Sequence, residues 1–155
     1  MDDDASSQEK PFGEFEYPVL IHERHLDSFG HVNNAAYMEI FEEARWHWIT
    51  GNGFGLNEIR KRQIGPVVLE AHLYFLRELL NRDKIIVKSR CLEYRGKIAQ
   101  MEQTMIRADG LAACRAEFKF GLFDLKARKL IRPTPEWLAA LRGRNGPDAA
   151  YRAAA

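Results

Sequence analysis

The residues best suited to chemistry lie in Asp27-Ser28-Phe29-Gly30-His31-Val32-Asn33-Asn34-Ala35-Ala36-Tyr37, and an apolar helical stretch continues to about Ile49. A lone acid stands seven residues before the helix start. That spacing suits a carboxylate that attacks a carbonyl, or directs water at it, while free backbone N–H groups hold the oxygen. The first-turn amides of a helix have no intrahelical partners and carry the positive end of its dipole. Gly30 lets the chain turn sharply after the acid. Asn33 and Asn34 are good N-cap residues, so they either cap the helix or position a substrate. The same residues would also make an ordinary turn with a solvated Asp27. His31 titrates near neutral pH and either takes part in acid–base work or makes a structural hydrogen bond in the loop. His22, His25 and His31, with Glu23 and Asp27 nearby, match no ligand spacing, so no metal is expected.

The stretch Asp27 to Arg45, read as D-S-F-G-H-V-N-N-A-A-Y-M-E-I-F-E-E-A-R, resembles the signature of the hot-dog-fold acyl-CoA thioesterases. More narrowly, it is similar to their 4-hydroxybenzoyl-CoA thioesterase-like branch, and the similarity extends across roughly residues 17–140. The resemblance implies an antiparallel sheet wrapped around a long central helix. It makes Asp27 the catalytic carboxylate and the backbone N–H near Asn34 the group that polarises the thioester, with His31 beside them. Asn33 and Tyr37 join the substrate site. The segment Gly65-Pro66-Val67 would approach from a partner subunit, so a homodimer or homotetramer is implied, with acyl-CoA as the substrate. Glu42 and Glu43 are rival carboxylates on the helix, and Glu42 has an i,i+3 partner in Arg45.

Composition agrees with a single globular domain. The chain has 155 residues, 46% of them hydrophobic, and 23 basic against 22 acidic side chains, so its charge gives no reason to expect a nucleic-acid partner. No apolar run is long enough to cross a membrane, and the acidic start is the wrong charge for a secretory signal. Cys91 and Cys114 form no metal or disulfide pattern and read as reduced thiols of a cytoplasmic protein. No Gly-rich phosphate loop is present, and no cofactor is expected.

Several elements must position the Asp27 stretch. A flexible leader is expected over 1–14, one domain over 15–142 and a flexible tail over 143–155. Tyr17, Val19 and Ile21 alternate in a strand from Glu16 to Arg24, and Pro18 marks it as an edge or a strand start. Tyr37, Ile40, Phe41, Ala44 and Trp48 follow helical spacing from Ala35 to Ile49. A short helix is expected over Phe54 to Gln63, ending at Gly65-Pro66. Strands are expected over Val67 to Leu80, Lys84 to Tyr94, Ile98 to Arg107 and Leu111 to Leu125. The last two flank Asp109-Gly110, a hairpin signal. Thr134 and Pro135 open a last helix to about Leu141. Strand, long helix, then consecutive strands is an α+β order with an antiparallel sheet.

The leading expectation is an acyl-CoA thioesterase with Asp27 as nucleophile or general base. A hot-dog hydratase or dehydratase and a non-catalytic acyl-CoA-binding domain are the alternatives. The acyl group is left open: Phe29, Trp46, Trp48 and Phe54 either line an aromatic pocket or pack the core.

Overall fold

The computed structural model describes residues 12–143, so most of the expected leader and nearly all of the expected tail lie outside the described residues. Strand β1 (Glu14–Leu20) is followed by a short 3-10 helix (Glu23–His25) and the long helix α1 (Asn34–Gly51). Next come α2 (Leu56–Arg62), β2 (Ile64–Phe75), β3 (Lys84–Arg95), β4 (Ile98–Arg107), β5 (Ala112–Asp124), β6 (Lys129–Ile131) and α3 (Pro135–Arg142). All strand pairs are antiparallel, in the order β1-β3-β4-β5-β2, with β6 also on β5.

Alternation along β3 sends Ile85, Val87, Ser89 and Cys91 inward and leaves the residues between them exposed. Val87 lies opposite Met105, and Ser89 opposite Gln103. The inward face meets the buried side of α1: Ala36, Tyr37, Ile40, Phe41, Ala44, Trp48 and Ile49. Phe41 packs edge-on against Phe118 at 6.0 Å, and Phe15 lies near Trp48 at 6.3 Å. Burying such side chains is worth roughly 1.5–3 kcal/mol each, so the seam between α1 and the sheet is a main source of stability.

Two strands differ in their bounds from the sequence expectation, and one strand is additional. β1 stops at Leu20, because the chain then turns into the 3-10 helix. β2 begins at Ile64, already contains Gly65 and Pro66, and ends at Phe75 rather than at Leu80. Proline fits because β2 is a sheet edge with one unpaired side. The short β6 was not expected.

Helix α1 does not cover β2 completely. Val68 and Leu69 are each 44% exposed and Phe75 is 57% exposed. A twelve-residue edge strand with exposed apolar groups is a ready template for pairing.

Candidate active site

The Asp27 loop is tied tightly to the elements around it. Asp27 N donates to the His31 carbonyl at 2.8 Å and Gly30 N to the Asp27 carbonyl at 3.1 Å, with Gly30 at a φ of 79°. Val32 N reaches the Leu79 carbonyl at 2.9 Å, and Asn33 N reaches the His25 carbonyl at 2.8 Å. The loop is thus held between the exit of β2 and the 3-10 helix. Phe29 N donates to Asp27 Oδ1 at 2.8 Å, which orients the carboxylate.

Asn33 occupies the N-cap position of α1, but its side chain accepts no hydrogen bond from the helix, and the first turn carries no acid. The capping expected of Asn33 and Asn34 is therefore not made. Ala36 N uses the Asn33 carbonyl at 2.9 Å. Among the described residues no acceptor is paired with the N–H of Asn34 or Ala35. These two donors sit at the positive end of the dipole, and Asn34 lines a cavity of about 450 Å³.

Asp27, His31, Asn33, Asn34 and Tyr37 all line that cavity, so five of the expected site residues come together. Tyr37 is buried, its ring meets Phe75 edge-on at 5.1 Å, and burial raises its phenol above the ordinary range. It is a protonated wall at neutral pH. Phe75, Leu76, Arg77 and Glu78 line it from the end of β2 and the residues after it, and Val32 from the loop. Glu78 Oε2 lies 2.9 Å from His31 Nε2. Glu78 was missed in the sequence because nothing local marks it: it reaches the site only through the register of β2.

Gly65, Pro66 and Val67 lie elsewhere. They open β2, and Pro66 and Val67 line a separate groove of about 280 Å³ beside the C-terminal half of α1. From Val67 to Phe75 the strand covers roughly 26 Å at about 3.3 Å per residue. One protomer does not bring them to Asp27.

Of the aromatic candidates, Trp48 and Phe54 are core residues at 1% exposure, Trp46 rims the groove, and Phe29 is 86% exposed at the loop tip. Glu42 makes no ion pair with Arg45; it accepts from Trp46 Nε1 at 3.3 Å, while Arg45 donates to Gln103 Oε1 at 2.9 Å. Burial pushes the thiols of Cys91 and Cys114 up to about 12, so neither is a ready nucleophile. Among the described residues no group of three or more His, Cys, Asp or Glu is arranged to hold a metal, and no helix is long and apolar enough to cross a membrane.

Comparison with known proteins agrees with this fold. The long-chain acyl-CoA thioesterase FadM of Escherichia coli K12 is 30% identical over 108 residues, which is 69% of this chain and 81% of FadM. The structure of YbaW, a probable thioesterase of Escherichia coli, has a TM-score of 0.71 at 26% identity, covering 83% of this chain and 98% of that one. A Staphylococcus aureus protein solved in complex with CoA has a TM-score of 0.78 at 20% identity, covering 86% and 85% of the two chains. The model of the thioesterase-like superfamily matches residues 19–141. The antiparallel sheet around a long helix thus has its relatives: the chain belongs to the thioesterase-like superfamily and is a thioester hydrolase of the hot-dog fold.

Proposed function

We propose that this protein hydrolyses acyl-CoA thioesters, with Asp27 as the reacting carboxylate and the N–H of Asn34, joined by that of Ala35, as the oxyanion donors. The observation that carries this reading is the bare start of α1, uncapped and acid-free, opening into the cavity that Asp27 lines. A thioester carbonyl seated against these amides gains negative charge on oxygen as a nucleophile adds, and preorganised donors favour that state. Asp27 Oδ1 is held by Phe29 N, leaving Oδ2 to react. As a nucleophile, Oδ2 bonds to the carbonyl carbon, the C–S bond breaks, CoA leaves as thiolate, and water then cleaves the mixed anhydride. As a general base, Oδ2 takes a proton from the water that attacks instead. Asn33 and Tyr37 shape the acyl end of the cavity.

A second copy completes the site in this reading. A two-fold axis pairing the exposed edge of β2 with itself, centred near Glu70, sets Phe75 opposite the partner subunit's Gly65. The loop expected to reach the thioester then lies over the Asp27 cavity, and the exposed apolar groups of β2 are covered. This supports a homodimer.

The contact between His31 and Glu78 favours a second reading, a hydratase that uses a histidine with an acid partner. One experiment separates the two. Thiol release is measured over short, medium, long and aryl acyl-CoAs with wild type and Asp27→Asn. The expected result is release by wild type and a loss of at least about 10³-fold in the variant. Asparagine keeps an acceptor for Phe29 N, so the fold persists. Water addition to an enoyl-CoA with no thiol released would overturn the thioesterase reading.

A further inference from the structure

The groove beside the C-terminal half of α1 contains a cation that has no ion-pair partner among the described residues. Glu42 and Arg45 enter it from α1, and the rest of its wall is apolar, Met38, Trp46, Pro66, Val67 and Phe118 among it. Among the described residues no carboxylate comes within ion-pairing distance of Arg45. Glu42, the natural candidate one turn away, is engaged by Trp46 Nε1.

Arg45 is also held in place. Gln103 is fully buried and gives its amide hydrogens to Ser89 Oγ at 2.8 Å and the Phe41 carbonyl at 3.1 Å. Its Oε1 must then face Arg45, which donates to it at 2.9 Å. The guanidinium carbon lies 4.5 Å from the Phe118 ring centroid, so the group is stacked as well as bonded. Desolvation brings Arg45 down to about 10, with Glu42 offsetting part of the effect, so it stays charged at neutral pH. Of the five donors on a guanidinium, one has an acceptor among the described residues. A charge held in an apolar groove with most donors unused is costly unless an anion joins it.

We infer that this groove receives the acyl tail of the substrate, and that Arg45 binds a carboxylate at the tail's far end. The preferred substrate is an acyl-CoA whose acyl group is a dicarboxylic acid esterified at one end. This inference rests on the proposed thioesterase and its two-fold. Under that symmetry the Pro66 and Val67 that line this groove also face the partner subunit's catalytic cavity. The tail leaves that cavity past Pro66 and Val67 and ends at Arg45. Two residues expected to bind substrate are thereby given a role although one protomer holds them far from Asp27.

The test compares thiol release from hexanoyl-, octanoyl- and decanoyl-CoA with release from the adipoyl, suberoyl and sebacoyl esters of the same chain lengths. In wild type at least one carboxylate-bearing member should exceed its plain counterpart in kcat/KM by roughly 10-fold or more, the range for a hydrogen bond to a charged group. Arg45→Met should bring that ratio to about one or below, and Arg45→Lys should leave it intermediate because the planar fork is lost. If the plain chain is preferred in every pair, the inference is overturned while the thioesterase reading stands. Release from no member in wild type points instead to failure of the reaction class. The inference also falls if Arg45→Met keeps the ratio, or if size-exclusion chromatography shows that this variant splits a wild-type dimer, because a second copy would then supply the anion.

Discussion

The two ends of helix α1 are built differently. At the C-terminal end, Asn52 N reaches the Trp48 and Thr50 carbonyls, Phe54 N bonds the Ile49 carbonyl at 2.8 Å, and Asn52 Nδ2 donates to the Ala140 carbonyl of α3 at 2.6 Å. Trp48, Phe54 and Trp137 close over that end. At the N-terminal end an asparagine stands in the cap position without capping, and beside an open cavity the amides of Asn34 and Ala35 have no acceptor among the described residues. One end is satisfied by protein groups. The other leaves hydrogen-bonding capacity unused, and that capacity is what a thioester carbonyl can use. Unfilled bonding at an otherwise well-satisfied helix is therefore a functional signal.

The largest effect on this contrast comes from the satisfied end. Asn52→Ala removes a buried donor and leaves the Ala140 carbonyl unpaired. It should cost about 2 kcal/mol, the range for an orphaned buried polar group. Thermal unfolding should drop by several degrees while thiol release at room temperature persists. Equal loss of activity and stability would mean that the two ends are coupled and do not act separately.

At the open end the opposite trade is expected. Asn33→Asp supplies a capping carboxylate and a charge that suits the dipole, together worth roughly 0.5–1 kcal/mol. The melting temperature should rise, and kcat should fall about 10-fold as the new carboxylate takes up the amides and repels the developing oxyanion. A rise in stability with unchanged kcat would remove these amides from the mechanism.

How much of this was legible in the sequence depended on whether the signal was local. Helix α1 was expected over 35–49 and runs from Asn34 to Gly51, because apolar spacing and the flanking glycine and asparagines mark it. Thr134 caps α3 through Trp137 N at 3.3 Å, as the Thr-Pro pair suggested. The gathering of Asp27, Asn34 and Tyr37 was readable, since they share one loop and one helix start. The strand role of Gly65-Pro66 was not, because the pair reads as a breaker and only its edge position permits it. Glu78 meets His31 from far along the sequence, through the pairing of strands, and local spacing carries none of that. The pairing of Glu42 with Arg45 failed for a similar reason: Gln103 on β4 competes for the arginine, and Trp46 competes for the acid.

The smallest expected effect isolates the open end by pH. His25 is buried in the 3-10 helix, where its Nδ1 accepts from His22 N at 2.9 Å and its carbonyl accepts from Asn33 N at 2.8 Å. Burial, joined by the nearby Arg24 and His22, lowers its pKa below the ordinary value of 6.5, against the opposing pull of Glu43 and Glu39. The unfolded chain therefore takes up this proton at a higher pH than the folded one. The stability linked to neutral His25 is fully present above about pH 6.5 and is lost as pH falls through the lowered folded value. Protonation also removes the lone pair that accepts from His22, loosening the segment that holds Asn33. Melting temperatures measured between pH 7.5 and pH 5, values spanning roughly the ordinary histidine range, should fall less steeply for His25→Gln than for wild type. If His25 titrates as described, adding Asn52→Ala should lower both curves without altering that difference in slope, because its site lies at the other end of α1. Identical slopes for wild type and His25→Gln would show that the proton is not linked to folding there.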